Sequence, residues 1–259
     1  MTRIALGIEY NGHGFYGWQY QKGLPTVEGT LQDALSKIAD EPIYLACAGR
    51  TDANVHATGQ VVHFDTSAKR HIDAWVWGTN AHLPKSIVVR WAKSVDYQFH
   101  ARFKALSRRY QYIIFNHPIR PGILSHRVSW HYYPLDVQTM QEAAFFLIGE
   151  QNFNSFRSSQ CNAKTPMRRV IAVNIQRREH FIIIDIEANA FLHHMVRNIA
   201  GVLMKIGRHE EKPDWIKTVL EAKNRQAAAE TAPSDGLYLI RVTYPPPYTF
   251  PLSDPLFLL

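Results

Sequence analysis

The chain has 259 residues, 46% of them hydrophobic, enough for one large domain or two small ones with a real core, and too apolar for a disordered protein. Twenty-nine Lys and Arg against 22 Asp and Glu give a formal charge of +7, which favours a polyanionic partner, nucleic acid first. The two cysteines, Cys47 and Cys161, stand at no paired spacing, which argues against a disulfide framework or a thiolate zinc site and fits a reducing cytoplasm.

Ile4, Leu6, Ile8 and Tyr10 alternate from the start, a strand rather than a signal peptide. No apolar run approaches the ~18–20 residues that span a bilayer, so no membrane segment is expected. Residues 10–19 mix three glycines with four aromatics and read as a loop whose rings plug the sheet end or stack on bases. Thr26 caps a helix in which Val27, Leu31, Ala34, Leu35 and Ile38 recur at helical spacing, with Glu28 in the first turn. Residues 43–48 and 61–64 are apolar runs of strand length.

Between those runs, Gly49-Arg50-Thr51-Asp52-Ala53-Asn54-Val55-His56-Ala57 places one carboxylate among turn-forming residues just after an arginine. Gly49 and Asn54 tolerate positive φ, so the backbone is equipped to turn sharply and aim Asp52 outward. An Asp in such a loop ordinarily bonds its own backbone; what singles out Asp52 is the company of Arg50, His56 and His63.

A short helix is expected around residues 73–80 and a strand at 87–91. A second half opens with the strand from Ser107, where Tyr110, Tyr112 and Ile114 share a face. Asp136 caps a helix with Met140, Ala143, Ala144 and Leu147 inward, and a hairpin pairs residues 169–177 with 181–187. A helix from Ala190 past Gly201, another over 213–223 and a strand over 237–242 complete the chain before three prolines. The fold class implied is α+β: two pseudo-duplicated α/β halves, residues 1–105 and 106–245, share a mainly antiparallel sheet flanked by helices, with the active-site cleft between them and a tail at 246–259.

On the helix from Ala190, Leu192, Val196, Ile199 and Leu203 form a core stripe, with His193 and Arg197 four apart on an adjoining face. His193 and His194 do not make a metal site on this reading, because adjacent helical residues point about 100° apart and no carboxylate or third His stands at ligand spacing. Arg197, next to core residues, calls for a carboxylate partner. The pairs Lys69-Arg70, Arg108-Arg109, Arg168-Arg169 and Arg177-Arg178 are solvated strand ends or, together, a phosphate-contacting stripe. Nucleotide-binding glycine motifs and a GxSxG elbow are missing from the sequence.

Residues 10–19, Gly49-Arg50-Thr51-Asp52 through Val55-His56-Ala57, Ala101-Arg102-Phe103, Arg109-Tyr110-Gln111-Tyr112, residues 152–157, residues 189–198 and Gly236-Leu237-Tyr238-Leu239 follow one another in an order that resembles the tRNA pseudouridine synthase A family over nearly the whole chain. Asn11 stands where that family usually has Asp, and Asn54 where it usually has Gly. The resemblance implies an isomerase that converts uridines 38, 39 and 40 of the tRNA anticodon stem-loop to pseudouridine. It implies Asp52 as nucleophile, Arg50 helping to extract the nucleotide, Tyr110 stacking on the uracil and Arg197 pairing with Asp52, with His56, His193 and Leu237 in support. It implies no cofactor and no metal, a cytoplasmic homodimer, and tRNA lying across both subunits. Two rivals stand beside it, a non-catalytic RNA-binding module that would not need Asp52 and an Asp/His hydrolase that would need a second carboxylate; Asp65, Asp73 and Asp185 read as turn, cap and strand residues.

Overall fold

The computed structural model describes residues 1–252, so residues 253–259 of the expected tail lie outside the described residues. In chain order the strands and α-helices are β1 (Thr2–Tyr10), α1 (Val27–Ala39), β2 (Ala46–Cys47), β3 (His56–Thr66), α2 (Ala74–His82), β4 (Ile87–Val95), β5 (Ser107–Asn116), β6 (Ser129–His131), α3 (Val137–Phe145), β7 (Gly149–Asn152), β8 (Met167–Arg178), β9 (Phe181–Ala188), α4 (Met195–Gly207), α5 (Trp215–Ala222) and β10 (Leu237–Thr243). The described residues form two compact units, one of Met1–Leu106 together with residues 238–252, the other of Ser107–Leu237.

In the first unit β1 runs antiparallel to both β3 and β4, and β2 runs antiparallel to β3, giving the spatial order β4-β1-β3-β2 of a split β-α-β arrangement. Tyr238 and Leu239 of β10 pair in parallel with His56 and Ala57 of β3. The same strand carries β2 further along, at Val62 and His63. This shared strand explains why the apolar run at 43–48 pairs over only two residues, Ala46–Cys47. It also corrects the expected 106–245 half: the last strand from Tyr238 falls within the first unit, where it pairs with β3.

Thr26 Oγ1 accepts the Gly29 amide at 3.3 Å, and α1 buries Val27, Leu31, Ala34 and Leu35 as its spacing dictates. Trp75 of α2 meets Phe64 of β3 edge-on at 5.1 Å. Side chains alternate along a strand, so Ala5 and Val61 serve a second cluster with Phe99, Ala101 and Tyr244, against which Trp91, Tyr248 and Phe250 pack. Trp91 and Phe250 stack at 4.8 Å.

In the second unit β5, β9, β8 and β7 lie side by side, each antiparallel to its neighbour, while β6 runs parallel to β5. In chain order this unit runs β5, β6, α3, β7, β8, β9, α4 and α5. Asp136 caps α3 by accepting the Gln138 and Thr139 amides at 2.8 and 3.3 Å. The hairpin turns at Glu179, whose φ is 52°. The short strands β6 and β7 had no periodic signal; Gly149 opens β7 with φ +104°. The architecture is therefore α+β with mainly antiparallel pairing.

The largest local correction is α4, which begins at Met195 and not at Ala190. His194 is its N-cap with φ 64°, a left-handed conformation that ends the preceding loop, so Leu192 and His193 precede the helix. His193 and Arg197 consequently do not share a helical face.

The pairing of β10 with β3 depends on Gly59, where an added Cβ would lie 2.2 Å from the Ile240 carbonyl oxygen. Gly59→Ala is expected to cost about 1–3 kcal/mol, read as a lowered urea midpoint. An unchanged midpoint would mean that β10 approaches β3 less closely.

Candidate active site

Asp52 stands, half-buried, in the loop between β2 and β3. The base of that loop is clamped by the fully buried Gln60, whose amide nitrogen donates to the Gly49 carbonyl at 2.5 Å while its oxygen accepts the Gly49 amide at 3.3 Å. The loop turns where Val55 N–H donates to the Asp52 carbonyl at 3.2 Å, with Asn54 left-handed at φ 64°. Gly49, in contrast to its expected role, is not among the residues of positive φ; the left-handed glycines nearby are Gly14 and Gly17, in the facing loop. Arg50 is exposed.

Residues 11–18 lie along the Asp52 loop. The Trp18 amide donates to the Thr51 carbonyl at 2.9 Å, the Asn54 amide to the Phe15 carbonyl at 3.3 Å, and the Gly14 amide to Asn54 Oδ1 at 3.3 Å. His56 is buried, accepts the Gly12 amide on Nδ1 at 3.0 Å and stacks on Tyr238 at 4.6 Å. Its role is thus to fasten the glycine-rich loop, with Nδ1 occupied as an acceptor. Of the four aromatics of that loop, Tyr10 and Trp18 are inside and plug the sheet end, while Tyr16 is exposed and Phe15 half-buried. Sequence reasoning missed Tyr10 and Thr51, whose hydroxyls meet at 2.8 Å in a buried pair; the available signal was the glycine spacing, which permits backbone contact that no periodicity marks.

In the second unit Tyr110 of β5 is 7% exposed and meets Phe191 edge-on at 5.0 Å. Arg197, in the first turn of α4, donates from Nε to the Ala232 carbonyl at 2.9 Å, and the Ala232 amide returns a bond to the Arg197 carbonyl at 3.2 Å. The next residue, Asn198, is fully buried, donating to Phe156 O at 2.8 Å and accepting from Thr231 Oγ1 at 2.6 Å. These bonds fix the start of α4 against residues 231–232. His193 and His194 lie ring against ring at 4.1 Å, so the expected 100° divergence of helical neighbours does not apply to them. Leu237 is buried at the first position of β10.

Several of the paired basics have partners within the fold, while Lys69, Arg70, Arg169 and Arg178 are exposed. Arg109 forms a two-pronged ion pair with Asp185, Nε at 2.6 Å and Nη2 at 3.0 Å, and its pKa is raised by that bond. Arg108 donates to the Asn189 carbonyl at 2.9 Å, and Arg177 to Asn116 Oδ1 at 3.0 Å and Leu135 O at 2.7 Å. Arg168 ties down the Thr165 carbonyl at 2.9 Å, whereas Arg169 is exposed. Of the spare carboxylates, Asp65 pairs with Arg3 at 2.7 Å and Asp185 with Arg109, whereas Asp73 precedes α2 without the expected side-chain capping bond.

His63 belongs with the second cluster of the first unit, its Nδ1 accepting the Ala101 amide at 3.2 Å and its ring 4.7 Å from that of His100. Its company with Asp52 is only sequential.

A family model described as tRNA pseudouridine synthase matches residues 7–104 and 143–245. The chain belongs to the tRNA pseudouridine synthase family. A relative from Vibrio vulnificus (strain YJ016) is 55% identical over 258 residues, covering 99% of this chain and 98% of the relative, and one from Photorhabdus laumondii is also 55% identical over 258 residues at the same coverage. A relative from Coxiella burnetii (strain Dugway 5J108-111) is 52% identical over 251 residues, covering 97% of this chain and 96% of the relative. All three are named tRNA pseudouridine synthase A. Members of this family are isomerases of tRNA, and the Asp52 loop falls within the first matched segment. No helix among the described residues is long and apolar enough to cross a membrane.

Burial, with the neighbouring His100 and Arg3, pushes the His63 pKa down to about 4 from 6.5. The unfolded chain therefore binds a proton first as pH falls, so the stability that neutral His63 contributes is fully present above about pH 6.5 and is lost down to about pH 4. NMR titration of the His63 ring should show a midpoint of about 4, with the unfolding midpoint falling across the same window; a ring midpoint of 6.5 would remove this contribution.

Proposed function

We propose that the chain isomerises uridines 38, 39 and 40 of the tRNA anticodon stem-loop, with Asp52 as the nucleophile. The observation that carries this reading is a loop held from its base and its flank around one carboxylate, in a chain of this family. Pseudouridine has the atoms of uridine: the N1–C1′ bond breaks, a C5–C1′ bond forms, C5 loses a proton and N1 gains one. The balance needs neither oxidant nor reductant. A carboxylate suits the task because it can add to the sugar or to the base and then leave.

A uridine must leave its stack before its glycosidic bond can be reached. Arg50, exposed beside Asp52 in sequence, is proposed to engage the displaced strand, and Tyr110 to offer its ring to the uracil, offsetting part of an unstacking cost of a few kcal/mol. Arg197 is proposed to pair with the Asp52 carboxylate and orient it. Its bond to Ala232 supports this role by fixing the guanidinium stem. His193 and Leu237 are proposed as supporting residues of the same site. The active protein is proposed to be a cytoplasmic homodimer, to be checked by sedimentation at micromolar concentration.

Asp52→Asn keeps size and hydrogen bonding but removes the nucleophile. It is expected to bind unmodified tRNA within about tenfold of the parent, roughly 1.4 kcal/mol, and to form no pseudouridine by carbodiimide primer-extension mapping. Turnover at the parental rate would exclude Asp52 as nucleophile. The parent is expected to modify positions 38–40 in the presence of chelator with the strand intact and no free uracil; strand cleavage or base release would favour a hydrolase. Phosphate contacts orient but do not react, so Arg169→Ala should weaken tRNA binding, reduce the log–log salt slope by about 0.9 and leave the saturated single-turnover rate unchanged. An unchanged slope would remove Arg169 from the contact surface.

A further inference from the structure

Thr51 immediately precedes Asp52 and is held at two atoms. Its carbonyl oxygen accepts the Trp18 amide at 2.9 Å, and its Oγ1 meets the Tyr10 hydroxyl at 2.8 Å. Tyr10 is the last residue of β1, a central strand paired on one side with β3 and on the other with β4, so its ring stands on a rigid support. It is 2% exposed and packs at 5.9 Å against Trp18, which is fully buried. Gly17 closes the same contact: with φ +85°, an added Cβ would lie 2.8 Å from the Thr51 carbonyl oxygen and 3.1 Å from the Asp52 carbonyl carbon.

We infer that Tyr10 is a positioning residue for the isomerisation, acting through its hydroxyl on Thr51 to set the direction from which the Asp52 carboxylate meets the substrate. The inference rests on the reading of Asp52 as nucleophile. A carboxylate that attacks and then leaves must approach along a narrow line, and a displacement of about 1 Å can cost about a hundredfold in rate. Stability alone gives no reason for two buried hydroxyls here, since an apolar pair of the same shape holds a fold almost equally well. Direction is what the hydroxyl pair adds: the 51–52 peptide is fixed at its carbonyl by the glycine-rich loop and at its side chain by the strand end.

The test compares Tyr10→Phe, Thr51→Ser, the double variant Tyr10→Phe/Thr51→Val and Asp52→Asn, each measured for tRNA dissociation constant, thermal midpoint and single-turnover rate at saturating unmodified tRNA. Tyr10→Phe is expected to slow the single turnover by at least about tenfold with the dissociation constant within about twofold, and Thr51→Ser, which keeps the hydroxyl, to retain the rate. The double variant leaves neither hydroxyl stranded, so its thermal midpoint should return toward that of the parent while its rate stays low. A double variant that regains rate along with stability would reduce the pair to a structural role and overturn the inference. So would a Tyr10→Phe rate within about twofold of the parent while Asp52→Asn is inactive. An active Asp52→Asn would instead overturn the reading of Asp52 itself, and the positioning role with it.

Discussion

The parallel pairing of β10 with the start of β3 is the constraint on which the Asp52 loop depends. His56 and Ala57, the first residues after that loop, are matched to Tyr238 and Leu239, so the loop leaves directly into a paired strand. The close approach leaves no room for a side chain at Gly59, and His56 turns its ring onto Tyr238 while its Nδ1 holds Gly12. One strand junction thereby immobilises the loop's exit, and through Gly12 it also fixes the glycine-rich loop that lies along its flank.

Chemistry at a loop is precise when rigid elements fix that loop from several sides. Gln60 serves the base of the Asp52 loop, reaching Gly49 from within β3, and residues 12–18 serve its flank. Two asparagines fit the same device. Asn54 adopts a left-handed conformation, which Asn tolerates better than other side chains. Asn11 accepts the His13 amide on Oδ1 at 3.1 Å, a bond an Asp carboxylate oxygen makes equally well.

The net charge of +7 is a poorer guide to the RNA-binding surface than it first suggests. Arg3, Arg108, Arg109 and Arg177 spend donors on internal carboxylates, amides and carbonyls, and these bonds order Tyr97, Phe99, Asn189 and Leu135. Such arginines are cross-links whose planar forks suit the work. Arg50 and Arg169 are exposed, and it is to such cations that the proposed phosphate contacts are assigned.

Much was legible from local pattern. Thr26 and Asp136 cap their helices, the hairpin turns at Glu179, Asn54 is left-handed, and the spaced motifs that resemble the tRNA pseudouridine synthase A family led to the family that the matched residues establish. Capping, periodicity and turn chemistry act over a few residues, so sequence alone determines them. The return of β10 to β3, the shortening of β2, the start of α4 at Met195, the Tyr10–Thr51 pair and the partners of each arginine were decided only in the folded chain. Each of these rests on contacts between residues far apart in sequence: Tyr238 meets His56, Asp185 meets Arg109, and Ala232 holds Arg197 where the helical pattern alone would have begun the helix at Ala190. A hydrogen bond across a sheet leaves no periodic trace in either strand, so tertiary packing chose those partners from many that the sequence left equivalent.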